Sequence, residues 1–152
     1  MTLSRRTYLS LVGGTAAVAG CSTGSAQAPS YDAPSVSVPE TVGSYLSDTS
    51  NFDGTALDLT DRSEVTVGVG AEGNAGNNAY SPAAIRISPG TSVVWEWLRG
   101  NHNVVDTDGA YQSNLGTGLT FEHTFEKTGT YTYYCSPHER YGMKGAVVVT
   151  SP

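Results

Sequence analysis

Lysine is scarce in this chain of 152 residues, with only Lys127 and Lys144 present. Lys and Arg together number 8 against 14 Asp and Glu, and the formal net charge is −6. Two of the arginines lie in a segment that we expect to be removed, which leaves 6 basic residues. A protein that binds nucleic acid needs clustered basic side chains to neutralise phosphates. The composition therefore argues against nucleic acid as a partner.

Long hydrophobic runs are also missing. The longest apolar stretch, residues 9–19, has 11 residues, whereas a membrane-spanning helix needs about 20. Arg5 and Arg6 precede this stretch and Val18-Ala19-Gly20-Cys21 ends it, a pattern that resembles a twin-arginine export signal with a lipobox. We predict an export signal over residues 1–20 and lipid attachment at Cys21, on the outer face of the cytoplasmic membrane. A plain Sec signal, or a leader cleaved elsewhere, is the alternative.

Large apolar side chains are rare between residues 22 and 40, where Ser, Ala, Pro and Thr prevail. Such a segment buries too little apolar surface to offset the chain entropy lost on folding. We therefore expect residues 21–40 to form a disordered, lipid-anchored linker. The remaining length suits one globular domain, residues 41–152.

The domain is rich in Gly, Thr, Ser, Val and Tyr, which favours strands and turns. Val93, Trp95 and Trp97 are expected to share one face of a strand, with Val94, Glu96 and Leu98 on the other. One or two helical turns are predicted over residues 42–47, a Gly/Asn loop over 71–81, and a pair of strands around the turn 126–129. The predicted strands are 64–69, 83–87, 93–98, 103–105, 119–125, 130–135 and 146–150. Short runs separated by turns predict an all-β sandwich.

Soft metal ligands are few, and they lie together. After Cys21 the only cysteine is Cys135, and after the initiator the only methionine is Met143. His138 lies between them at the spacing C-x2-H-x4-M, so a loop between two strands can place all three side chains round one ion. His102, at a predicted strand end, is the natural fourth ligand. One thiolate, two imidazoles and a weak thioether are the ligand set of an electron-transfer copper site.

These segments resemble the small blue copper proteins, the plastocyanin/azurin-like cupredoxin family, and within it the halocyanins. Asn101-His102-Asn103-Val104-Val105 resembles the loop of the first ligand. Tyr133-Tyr134-Cys135-Ser136-Pro137-His138 and Gly142-Met143-Lys144-Gly145 resemble the second ligand loop. The resemblance covers roughly residues 42–150. It implies a cupredoxin-like Greek-key β-sandwich that binds one type 1 copper ion.

The resemblance also implies a role for each residue of the site. His102, Cys135 and His138 are expected to be the close copper ligands, and Met143 the distant axial ligand. Asn103 is expected to hydrogen-bond the backbone near Ser136, which would tie the two ligand loops together and orient the ligands.

Two further expectations concern the surroundings of the site. His138 is expected at a surface edge, where it would serve as the electron port, and Tyr134, beside the ligand cysteine, would offer a second route. His123 alternates with Phe121 and Phe125, so we expect it to have a structural, hydrogen-bonded role rather than a place in the site.

The expected function is one-electron transfer in a membrane-associated respiratory chain. The expected partners are membrane-bound or surface redox proteins, with the protein a monomer attached to the membrane through Cys21. Catalysis is not expected, because a copper enzyme needs a further open metal site that three histidines cannot supply once two are used. Zinc is disfavoured because structural zinc sites prefer four strong ligands. Copper handling by a surface chaperone or store is the rival interpretation, and a structural lipoprotein is a third.

Overall fold

The computed structural model describes residues 27–151, so the predicted export signal and Cys21 lie outside the described residues. The described chain consists mainly of strands, with one short α-helix and one short 3-10 helix (Glu139–Tyr141). The elements are β1 (Ser35–Ser37), α1 (Glu40–Tyr45), β2 (Thr55–Asp58), β3 (Glu64–Ala71), β4 (Ala79–Ser81), β5 (Ala84–Ile87), β6 (Thr91–Trp97), β7 (Val105–Asp106), β8 (Thr120–Phe125), β9 (Gly129–Tyr134) and β10 (Lys144–Val149).

The strands form two sheets that pack face to face. One sheet has six strands in the order β1-β2-β5-β10-β9-β7, and the other has four in the order β4-β3-β6-β8. Parallel pairs, such as β3 with β6 and β5 with β10, occur beside antiparallel ones. Strands that are adjacent in a sheet are therefore mostly distant in sequence, and the predicted all-β sandwich is confirmed. Within the described part of the chain, no helix is long and apolar enough to cross a membrane.

The core between the sheets follows the alternation of side chains along β6. Val93 and Trp95 are fully buried and Trp97 is nearly so, whereas Glu96 is exposed. The prediction that the three apolar side chains share one face is confirmed, because successive side chains of a strand point to opposite faces. The Trp95 ring meets Tyr133 of the opposite sheet edge-on, with 5.4 Å between ring centroids. Contacts of this kind hold the two sheets together.

The prediction that β8 and β9 pair with each other is wrong. β8 pairs with β6 in the four-stranded sheet, and β9 pairs with β10 and β7 in the six-stranded sheet. Residues 126–128 therefore connect the two sheets. Phe125 and Tyr131 meet with their ring centroids 5.0 Å apart. The rings on either side of the connection therefore contact each other. A turn in the sequence does not by itself distinguish a hairpin within one sheet from a connection between two sheets.

The predicted disordered linker is also wrong where the structure describes it. β1 pairs antiparallel with β2, with Ser35 opposite Leu57. The Tyr31 hydroxyl donates to the carbonyl of Thr66 (2.8 Å) and accepts from its N–H (2.7 Å). Residues 35–37 need few apolar side chains, because they add to the edge of an existing sheet and gain its backbone hydrogen bonds.

The remaining differences are small. The helix α1 begins two residues before the predicted turn, and its buried Val42 packs in a second cluster with Leu46. β4 lies at the end of the segment 71–81, which was predicted to be loop throughout. β7 is a two-residue strand, Val105–Asp106, that only overlaps the predicted strand 103–105.

Candidate metal centre

His102 lies in the connection between β6 and β7, where the backbone holds it from two sides. Its N–H donates to the carbonyl of Gly116 (3.0 Å), and the N–H of Gly116 donates back to the His102 carbonyl (3.1 Å). The indole Nε1 of Trp97 donates to the same His102 carbonyl at 3.0 Å. With 1% of its surface exposed, the imidazole has a fixed position in the structure.

Two glycines allow the backbone to pass close to this imidazole. Gly100 has a φ of +83°, and a Cβ on it would lie 2.6 Å from Nε2 of His102. Gly70, with a φ of +86°, faces the same nitrogen, 3.1 Å from where its Cβ would be. Only glycine accepts both the positive φ and the close approach. Sequence analysis missed both residues; the one available signal was a glycine two positions before the predicted ligand.

The second ligand loop starts directly after β9 and ends at β10. The N–H of Cys135 donates to the carbonyl of Met143 (3.0 Å), and the N–H of His138 donates to the carbonyl of Cys135 (3.1 Å). The N–H of Met143 donates in turn to the carbonyl of His138 (3.2 Å). The loop therefore closes on itself through its own backbone, which brings the three predicted ligands of this loop together.

The donor atoms of His102, Cys135 and His138 converge on one point. The two Nδ1 atoms lie 3.1 Å apart, and Sγ lies 3.7 Å from Nδ1 of His102 and 3.4 Å from Nδ1 of His138. Metal–ligand distances of about 2.0 Å for imidazole and 2.3 Å for thiolate put such donors about 3.3 to 3.8 Å apart round a tetrahedral or trigonal ion. The two sulfur–nitrogen distances lie in this range and the nitrogen–nitrogen distance of 3.1 Å is slightly shorter, so the triangle has about the size that one metal ion needs. Among residues 27–151 this is the one group of three or more His, Cys, Asp or Glu that could hold a metal.

Met143 lies beside this triangle. It is fully buried and belongs to the same hydrophobic cluster as Cys135. Its N–H and its carbonyl are both bonded to the backbone of other predicted ligands. Met143 is thus a buried residue of the ligand loop, whereas His138 is only half-buried.

Burial decides the protonation of the donors. Removal from water, with a smaller contribution from the neighbouring His138, lowers the pKa of His102 from 6.5 to about 4. The imidazole is therefore neutral at pH 7 and its lone pair is available to a metal. Burial also raises the pKa of the Cys135 thiol, partly offset by backbone hydrogen bonds at Asn103 and His138. A bound cation would favour the thiolate instead, because ligation deprotonates a coordinating thiol.

Asn103 joins the two ligand loops, as predicted. Its Oδ1 accepts from the N–H of Ser136 at 2.8 Å, and its Nδ2 donates to Oγ of Ser136 at 3.0 Å. The carbonyl of Asn103 accepts a hydrogen bond from the Tyr80 hydroxyl. The residue after the first histidine is therefore anchored both to the second ligand loop and to the core.

His138 lies at the surface and His123 lies outside the site, as expected. His138 is half-buried and its neighbours Ser136, Pro137 and Glu139 are exposed, so its expected position at a surface edge is confirmed. His123 is outside the donor triangle; its ring stacks on Tyr111, with 4.6 Å between centroids. That packing supports the expected structural role of His123, and its expected hydrogen bond stays a prediction.

Comparison with known proteins assigns the chain to a family. Residues 65–150 match the model of the copper binding proteins of the plastocyanin/azurin family. Halocyanin from Natronomonas pharaonis is 45% identical over 107 residues, covering 64% of this chain and 63% of that protein. The chain therefore aligns with less than two thirds of halocyanin.

Shorter relatives align over their whole length. Plastocyanin from Scenedesmus fuscus is 30% identical over 99 residues, covering 57% of this chain and 99% of that protein. A solved mutant plastocyanin of fern is 27% identical, covers 56% of this chain and 99% of the other, and has a TM-score of 0.49. The family match from Val65 to Thr150 contains His102, Cys135, His138 and Met143, so the chain belongs to the plastocyanin/azurin family of copper-binding proteins and has a type 1 copper site at these residues.

Proposed function

We propose that this chain carries single electrons through a copper ion that alternates between Cu(II) and Cu(I). The observation that supports the proposal is the convergence of a buried thiol and two imidazoles beside a buried thioether. Copper would supply the one-electron couple. Thiolate and thioether favour Cu(I), whereas imidazole suits both oxidation states, so the donor set permits cycling rather than trapping one state.

The contribution of the protein is a donor set that needs little rearrangement. His102 is held by Trp97 and Gly116, and the second loop is closed by its own backbone hydrogen bonds. Asn103 joins the two loops. Ligands positioned before the electron arrives need to move little when it does, which lowers the barrier to transfer.

Electrons would enter and leave at His138, which reaches the surface. Leu115 and Tyr141 are the large hydrophobic side chains that are most exposed in residues 27–151, each at 53%, and the Tyr141 ring lies 6.2 Å from that of His138. Exposed apolar side chains around a functional residue are typical of a protein contact. We propose that redox proteins of the membrane or cell surface dock here, and that Tyr141→Asp slows electron exchange with them without changing the visible spectrum.

The site favours this function over enzymatic catalysis and over copper delivery. An enzyme needs an open metal position for substrate, whereas Cys135, His102 and Met143 are buried. A protein that hands copper to others needs accessible ligands, and only His138 is partly accessible. We therefore propose that the protein is not an enzyme and that copper stays bound while electrons pass.

The proposed location is the outer face of the cytoplasmic membrane, in a respiratory chain, with a lipid anchor on Cys21. The twin-arginine pattern and the Val-Ala-Gly-Cys motif support this proposal. Mass spectrometry of the exported protein tests it: a mature chain that starts at an acylated Cys21 is expected, and an unmodified chain cleaved elsewhere would contradict it.

Visible spectroscopy and voltammetry of the copper-loaded protein test the electron-carrier proposal. An intense thiolate-to-Cu(II) band is expected, which a mild reductant removes and an oxidant restores, together with a reversible one-electron wave. The variant Cys135→Ser should lose both and remain folded by circular dichroism. A colourless protein that binds only Cu(I) would instead support copper handling.

A further inference from the structure

We propose that Thr49 is a positioning residue for Met143: it orients the peptide that carries the thioether and so controls how Met143 approaches copper. The inference rests on the proposed electron-carrier function. Thr49 lies between α1 and β2, outside the residues 65–150 that match the family model. It is buried, and its Oγ1 donates to the carbonyl of Gly142 at 2.8 Å.

The hydrogen bond falls on the peptide that links Gly142 to Met143. The other polar group of this peptide, the N–H of Met143, donates to the carbonyl of His138 at 3.2 Å. Both ends of one peptide plane are thus bonded, one end within the ligand loop and the other to Thr49. Without the hydroxyl of Thr49, the carbonyl end loses its side-chain partner and the plane is held from one side only.

The backbone before Thr49 also lies directly against this peptide. Gly142 has a φ of +95°, and a Cβ on it would overlap the carbonyl oxygen of Asp48. The same Cβ would lie 3.0 Å from Oδ1 of Asn74. Only glycine permits such an approach at positive φ. The contact between the segment 48–49 and the ligand loop is therefore close enough to transmit a small displacement.

A second link holds the residue on the other side of Met143. The ammonium of Lys144 lies 3.1 Å from Oδ1 of Asp48 and 5.1 Å from the centre of the Tyr45 ring. The N–H of Ser50 donates to Oδ1 of Asn74 (2.8 Å), and the N–H of Asn74 donates to Oγ of Ser50 (2.7 Å). The segment 45–50 therefore holds both neighbours of Met143 and is itself tied to the buried Asn74.

The expected consequence is on the copper site rather than on stability alone. In sites of this type the axial ligand tunes the reduction potential. Thr49→Val keeps the shape and removes the donor. We expect a shift equal to at least a threefold change in the ratio of Cu(II) to Cu(I) binding constants, which is roughly 30 mV at about 59 mV per tenfold for one electron. The visible spectrum of the Cu(II) form should change with it.

The test compares matched variants of the full copper-loaded chain. Thr91 is also buried, and its Oγ1 donates to a backbone carbonyl, that of Arg62, at 2.9 Å. It lies at the opposite end of β6 from Trp97, so Thr91→Val is the control for loss of a buried hydroxyl away from copper. Thr49→Ser keeps the donor. Potential, visible spectrum and melting temperature are measured for each variant.

The inference holds if Thr49→Val shifts the potential and spectrum, Thr49→Ser restores them, and Thr91→Val changes only the melting temperature. It is overturned if Thr49→Val lowers the melting temperature but keeps the wild-type potential and spectrum. If Thr49→Val does not fold, Lys144→Gln and Asp48→Asn each break the second link at the surface, with opposite changes of charge. Shifts of the potential in one common direction support the inference. Unchanged potentials, or shifts that only follow the sign of the charge change, overturn it. If the wild-type protein shows no thiolate band, the proposed electron-carrier function is overturned as well. If the wild-type band is present and Thr49→Val leaves the potential unchanged, only the role of Thr49 is overturned.

Discussion

Asn103 and Ser136 exchange two hydrogen bonds across 33 positions of sequence, and these bonds join the loop of His102 to the loop of Cys135. Asn103→Ala removes both bonds. Because each bond contributes about 0.5 to 1.5 kcal/mol net, we expect the free energy of unfolding of the metal-free protein to fall by about 1 to 3 kcal/mol. Urea unfolding measures this. Ser136→Ala, which keeps the backbone bond, should cost about half as much, and equal costs would show that the backbone bond contributes nothing.

Gly142 allows a test of the close approach between the two backbone segments. Gly142→Ala faces both the positive φ and the overlap with the Asp48 carbonyl. Gly90 has almost the same φ, +91°, but no atom within 4 Å of a Cβ, so Gly90→Ala isolates the backbone cost of about 1 to 2 kcal/mol. Gly142→Ala should destabilise the protein by about 1 to 3 kcal/mol more, the usual cost of overpacking. Thermal unfolding compares the two, and equal losses would contradict the structure at this contact.

Two of the three histidines provide a matched pair for the copper site. His102→Gln removes one corner of the donor triangle and should abolish or strongly shift the thiolate band of the copper-loaded protein. His123→Gln removes a ring that stacks on Tyr111, so it should lower the melting temperature and keep the band. Visible absorption of the two variants checks this. If His123→Gln bleached the protein, the assignment of His123 to packing would be wrong.

Tyr31 tests the order of the segment that was expected to be a flexible linker. Tyr31→Phe removes the hydroxyl that bonds both polar groups of the Thr66 backbone. Because two bonds are lost, a decrease of about 1 to 3 kcal/mol in the free energy of unfolding is expected. Tyr141→Phe is the control, because the Tyr141 ring is 53% exposed and its change should be close to zero. A Tyr31→Phe protein as stable as the wild type would mean that these two bonds do not contribute to the stability of the fold.

The sequence analysis predicted the ligands because soft donors are rare and therefore informative. With Cys135 as the single cysteine of the domain and Met143 as its single methionine, few arrangements were possible, and the spacing to His138 narrowed them further. The strand pattern was equally direct, since period-two alternation along β6 follows from strand geometry. The contact of Asn103 with Ser136 followed from the family resemblance.

The errors of prediction concern relationships between distant segments. The turn 126–129 suits a hairpin as well as a connection between sheets, so local sequence did not reveal that β8 and β9 lie in different sheets. The polar segment around β1 lacks an apolar pattern of its own, and its order depends on the sheet edge that β2 provides.

The chemistry of this protein is determined by its sequence: which donors exist, that they are soft, and that three of them share one loop. Their use depends on tertiary structure, because a ligand set becomes a site only when His102 is brought to the second loop and its imidazole is buried in neutral form. The contact of Thr49 with Gly142 likewise depends on tertiary structure. A hydrogen bond that spans 93 positions depends on how the whole chain packs, and no local pattern of residues encodes it.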